Sequence, residues 1–155
     1  MDGVTLIKMD HQAVQKLFDR YEKLGPRAYK QAGQLRDRVC TELTIHAEIE
    51  EQVLYPATRE IRGETEEMVA EAEEEHAEAK AAIQELLSLS PESPKFPGAM
   101  GKLIGGVRHH VKEEESEILP KIRKAMSRSE LEELGRQLAE AKRDATRRLK
   151  MRPAA

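Results

Sequence analysis

Apolar positions recur along this chain at intervals of three, four and seven, the spacing of one helix face. Ile7, Val14, Leu17, Phe18, Tyr21 and Leu24 form one stripe, which predicts a helix over 4–24 that stops at Gly25-Pro26. Leu35, Val39, Leu43, Val53, Leu54, Ala57 and Ile61 form a second, over 29–61. Pro56 sits inside it, so a kink or break is expected just upstream. Val69, Ala72, Ala79, Ile83 and Leu86 give a third helix over 65–89, and Leu103, Val107, Ile118 and Ile122 a fourth over 99–126, disturbed by Pro120. Pro91, Pro94 and Pro97 mark 90–98 as a loop. A fifth helix is expected from Ser129, with Ser129-x-x-Glu132 as its capping box and Leu131, Leu134, Leu138 and Ala141 as a thin stripe. The predicted fold is all-α: an up-down-up-down four-helix bundle over 1–126, with a C-terminal helix and basic tail over 127–155 packed on it.

The polar residues that interrupt these stripes form a repeat. Residues 46–56 begin with His, carry Glu four residues later and end in Pro; residues 110–120 do the same. His46 therefore matches His110, and Glu50 matches Glu114. His11 lies 35 residues before His46, and His76 lies 34 before His110. Each half thus offers a lone His followed by His-x-x-x-Glu, whose two side chains share a helix face. All six groups fall on core-facing stripes, at similar distances from the turns, so a bundle brings them to one level. Carboxylates buried together without a cation are strongly destabilising. A hydrogen-bonded core histidine explains any one of these positions, and a surface ion pair explains one His-x-x-x-Glu. Neither explains four helices each presenting a histidine at one height. The pattern predicts a two-metal centre. With six nitrogen and oxygen ligands and no thiolate, it suits iron or manganese better than a tetrahedral zinc cage.

Composition narrows the partners. The net charge of −3 and the single cysteine, Cys40, argue against nucleic-acid binding and against a disulfide framework. No apolar run is of membrane length and no signal-peptide pattern opens the chain, so a cytoplasmic protein without membrane contact is expected. The stretch 142–152 carries six basic residues and one acid. It reads as a solvated helix end whose cations suit the helix dipole, rather than a phosphate-binding tail. Cys40 reads as a packed thiol and His109 as a surface residue. Tyr55, about half a turn from the ligand face on a regular helix, is not expected at the site.

Together, His11, His46-x-x-x-Glu50, Glu-His76 and His110-x-x-x-Glu114 with its downstream Leu-Pro resemble the hemerythrin-like family of HHE cation-binding domains over about residues 4–126. The segment Ser129-Glu-Leu-Glu-Glu-Leu-Gly135 is similar to that of stand-alone bacterial members. The resemblance implies two iron ions, oxo- or hydroxo-bridged, held by four histidines and two bridging glutamates and reacting with peroxide, O2 or NO. Oxygen-carrying members have His-x-x-x-His on the third helix; here Lys80 stands four residues after His76. That departure leaves one iron open and favours peroxide consumption over reversible carriage. Lys80 is then expected either to steady an anionic peroxide or to reach out to solvent, and Glu73 to substitute for the missing nitrogen. The alternative is a binding protein, an O2, NO or iron sensor or store without turnover. A ferritin-like carboxylate site needs Glu-x-x-His twice; only Glu73-x-x-His76 supplies it.

Overall fold

The computed structural model describes residues 1–150 and contains only helices among them. Helix α1 spans Gly3–Glu22 and α2 spans Tyr29–Ile49. A π-helical turn, Glu50–Leu54, carries α2 without interruption into α3, Tyr55–Arg59. After a turn come α4, Thr65–Leu87, and α5, Phe96–Glu113. A second π-helical turn, Glu114–Ile118, leads into α6, Leu119–Ala125. The last helix, α7, spans Arg128–Lys150. The bundle thus consists of α1, α2 with α3, α4, and α5 with α6, and α7 is the fifth helix. Among the described residues, no helix is long and apolar enough to cross a membrane.

The ends of the helices follow local chemistry. The Asp2 carboxylate accepts from the Thr5 N–H at 2.9 Å and starts α1. The capping box of α7 is Ser127-x-x-Glu130, not Ser129-x-x-Glu132: Glu130 N donates to Ser127 Oγ at 3.1 Å, and Ser127 N donates to Glu130 Oε1 at 2.9 Å. Both tetrapeptides fit the motif. The choice follows from α6 ending at Ala125 with Met126 extended, which makes Ser127 the first residue free to cap. Helix α5 begins at Phe96, inside the proline-rich stretch predicted as loop, because Pro97 occupies its first turn, where the missing N–H costs nothing. Of the expected basic tail, Arg152 lies outside the described residues.

The core has two apolar halves. Val14, Phe18, Val39, Leu86, Met100 and Leu103 belong to one, and Ile7, Ile49, Leu54, Val69, Leu119 and Ile122 to the other. Burying each large side chain is worth about 1.5–3 kcal/mol, so the two halves anchor the bundle from both ends. The second half is closed by α7 through Leu131, Leu134 and Leu138. That docking needs a close approach: a Cβ on Gly135 would stand 2.1 Å from the Met1 carbonyl oxygen, and one on Gly3 would stand 2.7 Å from Leu134. Between the halves, where each bundle helix passes from one to the other, the core turns polar.

Candidate metal centre

His11, His46, Glu50, His76, His110 and Glu114 make up this polar layer, all buried, with the two glutamates 0–1% exposed. His11 comes from α1, His46 from α2, His76 from α4 and His110 from α5; Glu50 and Glu114 each open a π turn. The imidazoles form two pairs, His11 with His46 at 5.0 Å between ring centres and His76 with His110 at 4.9 Å. Each glutamate joins one pair to the other. Glu50 Oε1 lies 3.3 Å from His46 Nε2 and 3.1 Å from His76 Nε2. Glu114 places Oε1 3.1 Å from His11 Nε2 and Oε2 3.2 Å from His110 Nε2. Donor atoms of His11, His46, Glu50 and Glu114 converge within 4.8 Å of one another, and so do those of Glu50, His76 and His110.

All four Nε2 atoms face inward because the outward nitrogen, Nδ1, faces a carboxylate on a neighbouring helix. Asp10 on α1 stands 3.1 Å from His46 Nδ1, and Glu75 on α4 stands 2.7 Å from His110 Nδ1. Glu115 closes the circuit at 2.6 Å from His11 Nδ1. The fourth member, Glu51, is 3.6 Å from His76 Nδ1, beyond hydrogen-bonding range. Each helix thus supplies a carboxylate to the histidine of the next, around the bundle. Such partners fix the tautomer and leave Nε2 as a lone-pair donor.

Tyr55 is at the centre of the layer and fully buried. Its hydroxyl donates to Glu114 Oε2 at 2.8 Å and lies 3.3 Å from Glu50 Oε1, 3.1 Å from His76 Nε2 and 3.4 Å from His110 Nε2. On a regular helix it would point away. The π turn supplies the difference: Tyr55 N bonds to the Glu50 carbonyl, five residues back, so one residue is absorbed and Tyr55 swings toward the ligand face. The corresponding position in the second half is Leu119, so the layer carries one phenol, on one side.

The electrostatics are those of a site built for a cation. Burial alone would lower the His46 pKa; the Glu50 charge and the Asp10 and Glu50 hydrogen bonds outweigh it and raise it to about 10. Burial is likewise outweighed at His110, by Glu114 and Glu50, and its pKa rises to about 11. Glu50 is held well below the ordinary carboxylate range: burial opposes this, but His46 and its hydrogen-bond partners prevail. Burial, followed by the Glu50 and Glu114 charges, drives Tyr55 far upward and keeps the phenol neutral. Yet His11 Nε2, His46 Nε2, Glu50 Oε2 and Glu114 Oε1, close as some of them lie to one another, are buried without a well-aligned hydrogen bond, as is the outward His76 Nδ1. Orphaned inward-facing nitrogens and oxygens of this kind are what a pair of hard or borderline metal ions satisfies, so the residues fit the ions that the spacing implies.

Glu73 comes out differently from its sequence expectation, and Lys80 takes the solvent-facing one of its two alternatives. Glu73 is not brought to the layer: it is turned outward, where Arg59 Nη2 holds its carboxylate at 2.5 Å. Lys80 is 56% exposed and donates to Glu51 Oε1 at 2.9 Å, so its ammonium is spent on that carboxylate at the rim. Beside the histidines a cavity of about 70 Å3 opens, walled by Val14, Leu43, Ala47, Ile83 and Val107, with Lys80 at its edge. Sequence reasoning missed Tyr55 and the four outer carboxylates. The latter had a signal: Asp10, Glu51, Glu75 and Glu115 each adjoin a ligand in sequence.

Residues 2–122 match the model of the hemerythrin HHE cation-binding domain. A structure of an HHE cation-binding domain-containing protein from Mycobacterium kansasii superposes with a TM-score of 0.81 at 22% identity, covering 98% of this chain and 94% of that one. A protein named DNA nickase from a Nostoc species is 31% identical over 149 residues, which are 96% of this chain and 41% of that protein. The chain therefore spans about two fifths of the length of that relative.

Proposed function

From the premise that the chain belongs to the hemerythrin HHE cation-binding domain family, we propose that it is a non-haem di-iron protein that consumes hydrogen peroxide. The observation that carries this reading is the closed layer of four inward Nε2 atoms and two shared carboxylates beside a small apolar cavity. His11 and His46 would hold one iron, His76 and His110 the other, with Glu50 and Glu114 common to both. Bound iron would pass two electrons from one hydrogen peroxide, released as O2, to a second, released as two waters, so that peroxide is both oxidant and reductant.

The protein's own part is positioning, exclusion and proton supply. The outer carboxylates hold Nδ1–H of His11, His46 and His110 and so commit Nε2 to the centre. The cavity admits a molecule of a few atoms and excludes larger reductants, and the side chains that wall it beside the histidines are mostly apolar. Tyr55 holds a proton on its hydroxyl at the middle of the layer, 2.8 Å from Glu114, where an anionic oxygen species would need one.

O2 or NO would enter the same cavity, and a sensor or store without turnover remains the alternative. The name of the Nostoc relative raises phosphodiester cleavage as a second reading. The buried layer argues against it for this chain, because a cavity of about 70 Å3 does not admit a nucleic-acid backbone. The test is protein purified without added metal, assayed for metal content, peroxide decay per iron and nicking of supercoiled DNA. Two irons per chain with catalytic peroxide decay support the proposal. One zinc per chain, or decay no faster than that of free iron, overturns it.

A further inference from the structure

The fifth helix reaches the metal centre. Lys142 Nζ on α7 donates to Asp10 Oδ1 at 2.5 Å, and the other oxygen of the same carboxylate, Oδ2, stands 3.1 Å from His46 Nδ1. Asp10 is only 11% exposed at its side chain. With one oxygen on the ammonium and the other on the imidazole, the plane of the carboxylate is fixed, and with it the rotation of the His46 ring. Helix α7 is held on both sides of Lys142. Leu138 and Ala145 are fully buried, and Arg148 grips Glu48 of α2 with both terminal nitrogens, at 2.8 and 2.5 Å.

We propose that Lys142 is a positioning residue of the metal centre, aiming His46 through Asp10, so that α7 belongs to the ligand scaffold. This rests on the reading of His46 as a metal ligand. The other three histidines lack an equivalent. Glu115 and Glu75 have no lysine among their ion-pair partners in the described residues. Glu51 has Lys80, but that lysine is 56% exposed and Glu51 is 3.6 Å from His76. The His11–His46 side is therefore the one that depends on an element outside the four-helix bundle. Without Lys142, Asp10 Oδ1 turns to water, the carboxylate plane is released, and His46 holds its ion less firmly.

Cobalt(II), whose absorption reports its ligand set, is the probe, with its release to a chelator followed on the full-length chain. Removing a direct outer partner of a ligating histidine weakens metal binding about 10–100-fold, so Asp10→Asn should speed release of one cobalt equivalent by about that factor. Lys142→Met, one link further out, should speed the same equivalent by about 3–10-fold. Lys142→Arg should restore wild-type release. In the Asp10→Asn background, Lys142→Met should add nothing, because the two lie on one line of action. Acceleration of both equivalents alike, additive effects in the double variant, or unchanged release from Lys142→Met would overturn the proposal. So would equal drops in the melting temperature of metal-free and loaded protein without a change in release. A wild-type protein that takes up no cobalt or iron would sink the metal reading itself, an outcome distinct from normal uptake with unaltered release.

Discussion

Replacing Tyr55 with Phe keeps the buried ring and removes one hydroxyl, so its effect isolates the polar contacts at the centre of the layer. That hydroxyl donates to Glu114 at 2.8 Å and has Glu50 and two imidazole nitrogens within 3.4 Å. A hydrogen bond to a charged partner contributes about 1.5–3 kcal/mol, so Tyr55→Phe should cost the metal-free protein about 2 kcal/mol. At about 2–4 °C per kcal/mol for a chain of this size, the melting temperature falls by about 4–8 °C. With metal bound, the carboxylates and Nε2 atoms are engaged elsewhere, and the hydroxyl loses its best acceptors; the cost drops to about 1 kcal/mol. The difference of about 1 kcal/mol returns as about fivefold tighter metal binding by the variant. Calorimetric melting of both forms, with a chelator competition, measures all three quantities. Equal destabilisation of the two forms would refute the reasoning. Weaker binding by Tyr55→Phe would also refute it, by making the phenol a ligand.

Glu50→Ala and Glu114→Ala should each lose most bound iron and the stability that binding confers; unchanged metal content and melting in both would remove the shared-ligand assignment. Metal uptake at pH 7 should release a proton from each of His46 and His110, whose values stand near 10 and 11 in metal-free protein, so affinity should climb with pH; titration calorimetry in buffers of different ionisation heat reads this directly. The same groups set metal-free stability. The contribution of His46 and His110 is complete below their unfolded value of about 6.5 and is lost as pH rises through about 10 and 11, whereas that of Glu50 is present above its unfolded value and lost as pH falls. Val107→Phe should fill the cavity and slow peroxide decay at unchanged iron content; undiminished decay would mean that the oxidant arrives by another route.

The buried cluster of four histidines and two glutamates was legible because it depends on helical spacing alone. His-x-x-x-Glu shares a face whatever surrounds it, and the stripes of Ile7, Val14, Leu43 and Val107 state which face turns inward. What depends on the register between helices was not legible. Asp10 serves His46 and Glu75 serves His110 across a helix boundary, and periodicity carries no record of that offset. Glu73, expected at the site from its place three residues before His76, is held at the surface by Arg59, a partner that helical spacing does not record. Tyr55 was hidden for a different reason: the counting assumed about 3.6 residues per turn, and the turn between Glu50 and Tyr55 is wider. Pro56 announced a disturbance without revealing its form.

Those wide turns carry a history. A π turn amounts to an α-helix that has gained one residue, and such a gain is rarely neutral. Both halves of this chain have it at the same offset, beginning on the shared glutamate and ending two residues before the proline. Two independent gains at matched positions are a costlier account than one gain followed by duplication of a helical hairpin. The matched halves then part company at the end of the widened turn, where position 55 is a phenol and position 119 an aliphatic.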